Sequence, residues 1–491
     1  MNHGYSTCTR VIALFLYLLI YPGSSLQAQQ SWTVELSGIG TFSSPRVTDL
    51  NNDGVGDIIL GAGREEFQAC DTAIFALDGT SGQMLWNRPA TDQMFGSASL
   101  LDINRDGTQD ILINGRSAEL QAIDGKTGEL IWKFFPPQDE KWFNFYNPQL
   151  VSDQDGDQLQ DILITNGGDV MAPAYDANRP PGRLLLLSSA NGSLISSAFM
   201  PDEKETYMSV ACLPLPDSSD YRIILGTGGE TVGGNLYVCR LSDVLKEDLS
   251  HATLLASSPN KGFIAPPVWV DINTDDMPDI VANAVDGHLL IFDGATLEPL
   301  TELAIPDTEA YSSLGVGFFN RDSVPDLMLS YAQGTWPDLT WNRQYMVDGG
   351  DGQILFEDSL GYYQTSSPVV FDFTEDGLDD VLLTVNTHSY NELGQKLLYI
   401  IMVVLDFSTG EVIQITEPVE GSNTSSTPWI GDLDQNGLLD IVYVHSASAY
   451  HANTFDGLRI HRLSTAIPCI APIPWGSYMG SQYDGVFLQD K

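Results

Sequence analysis

Basic residues are scarce in this chain. Its 491 residues include 22 Lys and Arg against 65 Asp and Glu, so the formal net charge is −43. Proteins that bind DNA or RNA draw much of their affinity from Lys and Arg contacts with phosphates. The charge balance therefore excludes a nucleic-acid-binding function, and it leaves the placement of many carboxylates to be explained.

Long hydrophobic runs are also lacking. The longest covers 11 residues, 11–21, and it follows Arg10. A helix that crosses a bilayer needs roughly 20 apolar residues. The run is followed by small residues up to Ala28, and this order is typical of a secretory signal peptide. We therefore expect residues 1–28 to be a signal peptide and the mature protein to be secreted, periplasmic or at the cell surface, without a transmembrane segment. A retained N-terminal anchor is the alternative.

Cysteine is rare, with five residues in the chain. One of them, Cys8, lies within the predicted signal peptide. An even number of cysteines in an exported protein favours disulfides. We expect one or two, with three pairings open, among Cys70, Cys212, Cys239 and Cys469.

Helical periodicity is nearly absent, and a repeat takes its place. A loop of the form D-x-[DN]-x-[DN]-x-x-x-D, followed by an apolar strand, occurs in six complete copies. A seventh copy has Phe318 in place of the first carboxylate, and an eighth, near residue 217, is recognisable by its strands alone. The complete copies start at Asp49, Asp102, Asp153, Asp271, Asp372 and Asp432.

The spacing of the repeat predicts the fold. Successive copies lie about 55 residues apart, which is longer than an ankyrin or leucine-rich repeat and suits a four-stranded blade. We predict an all-β, eight-bladed β-propeller of four-stranded antiparallel blades over residues 29–465, with seven blades as the alternative count and a β-solenoid as the alternative fold. The strand at 31–36 should close the ring, and the tail 466–491 should pack on the propeller. Only residues 242–256 could form a turn or two of helix.

The repeated loop has the chemistry of a calcium site. Ca²⁺ prefers six to eight oxygen ligands, and a tight loop can supply them from alternating side chains. Clusters of Asp, Asn and Gly are also ordinary turn formers, which is the alternative reading. We predict about six Ca²⁺ ions, held by side chains at loop positions 1, 3, 5 and 9: Asp49, Asn51, Asp53, Asp57, Asp102, Asn104, Asp106, Asp110, Asp153, Asp155, Asp157, Asp161, Asp271, Asn273, Asp275, Asp279, Asp372, Thr374, Asp376, Asp380, Asp432, Asp434, Asn436 and Asp440.

These loops carry a family resemblance. With the apolar strand after each loop, and with Phe95 and Gly96 ahead of the second copy, the chain resembles the FG-GAP/VCBS calcium-binding propeller repeat of integrin α-subunit head domains and of exported bacterial proteins. The turns that end in Trp86 and Trp132 resemble the tryptophan-docking motif of PQQ-type propellers. The resemblance implies a propeller and calcium. It does not imply one function, because fold does not determine function.

The predicted blade also separates two faces. The loops between the first and second strands and between the third and fourth lie on one face of an antiparallel blade, while the longer connections lie on the other. Long loops on a rigid ring are where binding residues concentrate. We predict a ligand-binding face, opposite the calcium loops, that includes Trp142, Tyr146, Tyr175, Arg179, Trp336, Trp341, Arg343, His388, Tyr390, Tyr450 and His451.

Three functions are compatible with these features. The leading hypothesis is an exported calcium-binding propeller that acts without catalysis, as a binding or cell-surface interaction protein for a protein or carbohydrate ligand. The second is a calcium-dependent, lyase-like enzyme that processes extracellular polysaccharides, with His388, His451 and the acidic loops as acid–base candidates. The third and weaker one is a quinone-dependent dehydrogenase, for which the chain lacks an adjacent Cys–Cys pair.

Overall fold

Eight antiparallel sheets form the fold. A computed structural model describes residues 31–137, 140–216, 218–362, 366–452, 454–469 and 472–487. Each sheet has four or five strands, and each is formed by consecutive strands of the chain except the last. The predicted eight-bladed propeller is confirmed. The predicted signal peptide, residues 1–28, lies outside the described residues.

The strands of the first half follow the chain. The first strand is β1 (Trp32–Ser37). Blade 1 contains β2 (Arg46–Thr48), β3 (Asp57–Gly61), β4 (Cys70–Leu77) and β5 (Met84–Ala90). Blade 2 contains β6 (Ser99–Leu101), β7 (Asp110–Asn114), β8 (Leu120–Ile123) and β9 (Leu130–Lys133). Blade 3 contains β10 (Asn144–Phe145), β11 (Gln149–Val151), β12 (Asp161–Gly167), β13 (Arg183–Leu187) and β14 (Leu194–Phe199). Blade 4 contains β15 (Ala211–Pro214), β16 (Tyr221–Gly226), β17 (Gly234–Arg240) and β18 (Thr253–Ser258), with the one-turn helix α1 (Leu241–Val244) before β18.

The second half repeats the arrangement. Blade 5 contains β19 (Val268–Val270), β20 (Asp279–Ala284), β21 (His288–Phe292) and β22 (Pro299–Ala304). Blade 6 contains β23 (Thr308–Glu309), β24 (Gly315–Gly317), β25 (Asp326–Thr335), β26 (Asp338–Val347) and β27 (Ile354–Ser359). Blade 7 contains β28 (Val369–Phe371), β29 (Asp380–Tyr390), β30 (Lys396–Asp406), β31 (Glu411–Gln414) and β32 (Val419–Glu420). Blade 8 contains β33 (Trp429–Gly431), β34 (Leu438–Ser446) and β35 (Gly457–Pro468).

The N-terminal strand closes the ring. Strand β1 pairs antiparallel with β35, from Trp32 opposite Arg462 to Ser37 opposite Gly457, and so becomes the outer strand of blade 8. This confirms the closing strand expected from the sequence. Without β1, β35 would expose a row of unpaired backbone groups to other chains.

Tryptophans of outer strands join neighbouring blades. The indole nitrogens of Trp86 and Trp132 each donate to a main-chain oxygen of the next blade, over 2.7 Å. Trp32 makes the same bond from the closing strand to Gly79 of blade 1, over 2.9 Å. The turn glycines fit this contact. A Cβ on Gly128, where φ is +73°, would lie 2.6 Å from Trp86. The tryptophan contact that the sequence predicts at two turns therefore occurs a third time at the ring closure.

The described tail residues 472–487 occupy the centre of the ring. They contact the first strands of blades 1 and 5, which lie on opposite sides of an eight-bladed ring, so this short segment must cross the axis. The side chains of Trp475 and Met479 are fully buried. The bonds to the ring join Arg46 to Tyr478, Gln149 to Tyr483, Trp269 to Gly485, Val370 to Trp475 and Ile430 to Gly476.

Apolar residues of adjacent blades pack against each other. Strands β3, β7 and β12 are buried along their whole lengths, as expected of strands covered by blades on both sides.

The prediction of one or two disulfides is wrong, because the four described cysteines are free thiols. Three of them are buried within these apolar layers, where a cysteine acts as a small hydrophobic residue. Within the described ranges, no helix is long and apolar enough to cross a bilayer.

A buried histidine pair lies at the ring closure. The Nε2 atoms of His445 and His461 are 2.9 Å apart, and Nδ1 of His461 lies 2.9 Å from the hydroxyl of Thr33 on β1. The ring of Tyr443 stacks on His461 with centroids 4.4 Å apart. Burial lowers the pKa of His445 to about 4 and that of His461 to about 3. The pair is therefore neutral in the folded protein at pH 5 and above.

This pair predicts acid sensitivity. Unfolded histidines have a pKa near 6.5, so between pH 6.5 and about 4 these two histidines bind more protons in the unfolded chain than in the folded one, and the pair makes folding less favourable as the pH falls. Replacing His445→Gln should remove its share of this effect, so the melting temperature at pH 4.5 relative to that at pH 7 should be higher in the variant than in the wild type. The exposed His251→Gln serves as the control and should leave this difference unchanged. Equal differences in wild type and His445→Gln would contradict the prediction.

Candidate functional site

The last carboxylate of the repeated loop is a buried structural group. In blade 1, Asp57 is fully buried and accepts bonds from the backbone N–H groups of Leu50, Asn51 and Gly79. Burial raises its pKa to about 6. Since Gly79 belongs to the turn between the third and fourth strands, this carboxylate joins the loop to that turn. The same three bonds occur in blades 2, 5 and 6, at Asp110, Asp279 and Asp326.

The asparagine at loop position 3 makes a second link. Its amide donates to the aspartate of the same turn, as from Asn104 to Asp124 over 2.9 Å. The half-buried carboxylate at position 1 and the exposed one at position 5 accept backbone N–H groups of their own loop. In blade 1, the N–H of Asp53 donates to Asp49 and the N–H of Val55 donates to Asp53. These bonds satisfy the loop oxygens without an ion, which is the turn-forming role described above as the alternative.

Blade 8 contains its own cation. Arg462 is 2% exposed, and its Nη2 lies 2.6 Å from Asp434 and 3.1 Å from Asp440. Its Nε also donates to Asp440 over 3.1 Å. The guanidinium thus pairs with two of the carboxylates predicted to bind calcium in this loop, although Oδ1 of Asp434 has no hydrogen-bond partner. Arg462 lies on β35, 22 residues after Asp440, and no local sequence signal connects the two.

Blade 3 differs from the other loops. Only here and in blade 8, among the residues that the structure describes, do three carboxylates bring their oxygens within 4.8 Å of one another, and here they belong to Asp153, Asp155 and Asp161. Ser188 and Ser189 replace the Asp–Gly pair of the turn. As a result, Oδ1 of the fully buried Asp161 has no hydrogen-bond partner. Burial, followed by repulsion from the neighbouring carboxylates, raises its pKa to about 6.

A cavity of about 650 Å³ opens on the opposite face. Its walls come from the connections between blades and from the loops between second and third strands, and Tyr478 of the tail forms part of the lining. The lining combines aromatic rings with hydroxyl and amide side chains. The aromatic members are Phe42, Phe95, Tyr146, Tyr207, Tyr311, Trp336 and Tyr478, and the neutral polar members are Ser44, Ser97, Asn144, Asn147, Ser209, Thr231 and Ser425.

Ion pairs stiffen one wall of this cavity. Arg179 contacts Glu205 over 2.8 Å and the hydroxyl of Tyr207 over 3.0 Å. The side chain of Glu205 is 1% exposed, and burial raises its pKa, an effect that Arg179 opposes. Tyr207 packs edge-on against Tyr146 with centroids 6.1 Å apart. These contacts hold the side chains of the wall against one another.

Three of the eleven predicted ligand residues line the cavity: Tyr146, Arg179 and Trp336. A fourth, Tyr175, is 64% exposed, with its hydroxyl 3.5 Å from the main-chain oxygen of Trp336. The remaining predicted residues lie outside the cavity lining, at Trp142, Trp341, Arg343, His388, Tyr390, Tyr450 and His451. Their part in the predicted ligand-binding face stays a prediction.

Three of these seven side chains make local contacts. Trp142 packs edge-on against Phe134. Arg343 pairs with Glu357 on the neighbouring strand, and His388 contacts the rings of Tyr362 and Tyr390. These contacts are all with residues outside the cavity lining. Sequence reasoning missed the buried members of the wall because isolated Glu and Tyr residues in different blades form no motif.

Comparisons with known proteins identify the family. A family model described as "FAM234A/B beta-propeller" matches residues 32–370, more than half of the chain. This chain belongs to the FAM234A/B β-propeller family. Protein FAM234B of Mus musculus is 22% identical over 75% of the chain, and Protein FAM234A of Bos taurus is 26% identical over 71%. The matches span 61% and 64% of those two relatives.

Solved structures agree with the fold. A quinohemoprotein alcohol dehydrogenase from Pseudomonas putida HK5 is 12% identical with a TM-score of 0.51, covering 90% of this chain and 78% of its own. The exotype rhamnogalacturonan lyase YesX is also 12% identical with a TM-score of 0.51, covering 87% and 72%. Identities this low show the fold alone. Membership of the FAM234A/B family supports the propeller and leaves the calcium implied by the FG-GAP resemblance as a prediction.

The structure separates the acid–base candidates of the enzyme hypothesis. His388 and His451 lie on the face of the cavity but outside its lining, and the acidic loops lie on the other face. Among the described residues, the cavity lining contains no cysteine, and the chain has no adjacent Cys–Cys pair that could flank a quinone.

The arginine of blade 8 predicts a large stability effect. Arg462→Ala would leave Asp434 and Asp440 without their cation, and breaking a buried pair by removing one partner costs about 3–5 kcal/mol. Arg459→Ala is the matched control, because its partner Glu35 is about half exposed and such pairs contribute at most ~1 kcal/mol. Urea unfolding would measure both. Equal losses in the two variants would show that Arg462 is not a buried counter-ion.

Proposed function

We propose that this protein is an exported, non-enzymatic propeller that binds a glycan in the cavity opposite its acidic loops. The observation that supports this most is the cavity lining, which places seven aromatic rings and seven hydroxyl or amide side chains around about 650 Å³. Sites of this kind are concave, largely preformed and lined by apolar groups with a few placed polar ones. Sugars present C–H faces to aromatic rings and hydroxyl groups to amides, so both parts of the lining have a role.

An unpartnered donor supports an oxygen-rich ligand. Asn147 is 6% exposed, and its Oδ1 accepts the backbone N–H of Ser97 over 3.1 Å. Its Nδ2, however, has no hydrogen-bond partner. A buried polar group without a partner is destabilising by about 1–3 kcal/mol. A sugar hydroxyl oxygen in the cavity would accept this bond.

A protein ligand is the second candidate, favoured by exposed apolar side chains on the same face. Leu393 is 84% exposed, Met171 73%, Tyr390 65% and Tyr450 55%. They lie on the long connections of blades 3, 7 and 8, around the cavity. Exposed apolar groups on such loops can anchor a protein partner.

Two tryptophans separate these candidates. Trp336→Ala should weaken binding to the glycan probe, found by screening a glycan array, by at least tenfold, since burial against an aromatic anchor contributes on the order of 2 kcal/mol. Trp341→Ala is the control, because this residue is 51% exposed and outside the cavity. Isothermal titration calorimetry would measure both affinities. Loss with Trp341→Ala and retention with Trp336→Ala would favour the outer surface over the cavity.

We also propose that Ca²⁺ binds the acidic loops, with the tightest site in blade 3. In that loop, Oδ1 of Asp161 lacks a partner and three carboxylates converge, so a cation would satisfy a buried acceptor and remove their mutual repulsion. Arg462 argues against an ion in blade 8, so the proposal is for at most five of the six predicted ions. The loops of blades 1, 2, 5 and 7 would bind more weakly. In blades 1, 2 and 5 both oxygens of the last aspartate already accept bonds within the protein.

Paired variants test this order of affinity. Asp153→Asn with Asp155→Asn should remove the tightest Ca²⁺ site in a calorimetric titration, whereas Asp102→Asn with Asp106→Asn in blade 2 should retain it. At tenfold excess over the dissociation constant, one site stabilises by RT ln 11, about 1.4 kcal/mol. The blade 3 variant should lose this calcium-dependent gain in unfolding free energy. Unchanged tight binding in that variant would contradict the proposal.

A further inference from the structure

We propose that the cavity selects an amino sugar, whose free ammonium group binds the carboxylate of Glu230. The inference rests on the proposed glycan-binding function and names the charge of its ligand. It depends on which of the charged groups around the cavity are paired with one another.

Glu230 is the cavity carboxylate without a partner. Three carboxylates line the cavity. Glu66 pairs with Arg116 over 2.6 Å, and Asp169 pairs with Lys141 over 2.6 Å. In the part of the chain that the structure describes, the carboxylate of Glu230 has no hydrogen bond and no basic nitrogen within 4.0 Å.

The nearest cation is committed elsewhere. Lys261 donates to the main-chain oxygen of Glu230 over 2.7 Å. Its ion pair, however, is with Glu309, over 2.5 Å. Glu309 also accepts the hydroxyl of Tyr311 and the backbone N–H of Trp336. The side chains of Lys261 and Glu309 are 14% and 2% exposed, so this arrangement is held inside the wall.

The charges of this wall therefore do not balance. Arg179 and Lys261 are opposed by Glu205, Glu230 and Glu309, which leaves one excess negative charge at the position that faces the cavity. Burial is the main effect on Glu230 and raises its pKa. A partly buried carboxylate without a partner is unfavourable, and a ligand cation would compensate it.

The form of the cation follows from the surrounding groups. A single free carboxylate cannot provide the six or more oxygens that Ca²⁺ requires. A primary ammonium has three N–H donors for a carboxylate and is also stabilised near aromatic rings such as Tyr207 and Tyr311. The unpartnered Nδ2 of Asn147, in the lining of the same cavity, requires an acceptor oxygen. An amino sugar supplies an ammonium group and hydroxyl oxygens on one ring.

Matched oligosaccharides test the inference. The probes are a glucosamine trimer and the N-acetylglucosamine trimer, which share the same linkage and differ in charge. Calorimetry on the wild-type protein should show at least tenfold tighter binding of the glucosamine trimer. The nearly isosteric Glu230→Gln should abolish this preference while its melting temperature stays within a few degrees of wild type. Glu65→Gln, an exposed carboxylate on the same face, is the control and should keep the preference.

The outcomes are distinguishable. Equal binding of both trimers, or a preference that survives Glu230→Gln, would overturn the ammonium inference and leave glycan binding standing. A preference lost equally in Glu65→Gln would show general attraction by the acidic surface and would also overturn it. Binding of lysine amide but of neither trimer, with dependence on Glu230, would replace the sugar by a peptide amine. Binding of no glycan on an array would refute the proposed function itself.

Discussion

The pairing of β1 with β35 is the constraint on which the rest of the structure depends. An eight-bladed ring needs every blade to pack between two others, and the eighth blade obtains its fourth strand from the beginning of the chain. The same strand brings Trp32 to the turn at Gly79 and Thr33 to the buried histidine at 461. One ladder of hydrogen bonds thus fixes the position of blade 8 relative to blade 1. It thereby also fixes the width of the central space that holds the tail and the cavity.

The tail in the centre of the ring closes one end of the cavity. Its residues form hydrogen bonds with the first strands of five blades, and they fill the space where a propeller would otherwise have an axial channel. Arg46 is almost fully buried between blade and tail, where its guanidinium stacks on the ring of Tyr483 at 3.9 Å from the centroid. Because the tail lies across the axis, and Tyr478 lines the cavity, the opening ends within the protein.

The repeated loops show how one sequence pattern serves different physical purposes. In four blades a buried aspartate accepts three backbone N–H groups and joins loop to turn, as Asp57 does. In blade 8 the carboxylates belong to an ion pair with Arg462. In blade 3 the turn lacks its Asp and Gly, and a buried oxygen of Asp161 is left without a partner. The high negative charge is thus partly structural.

The sequence by itself determined the eight blades, the closing strand and the face that holds the long connections, because these follow from a local pattern repeated about every 55 residues. It also indicated Tyr146, Arg179 and Trp336, which are conspicuous in their loops. It could not identify Glu230 or the pairing of Lys261 with Glu309, and it suggested disulfides that four free cysteines exclude. Those features depend on side chains from different blades meeting at one wall, and such distances are decided only when the ring closes.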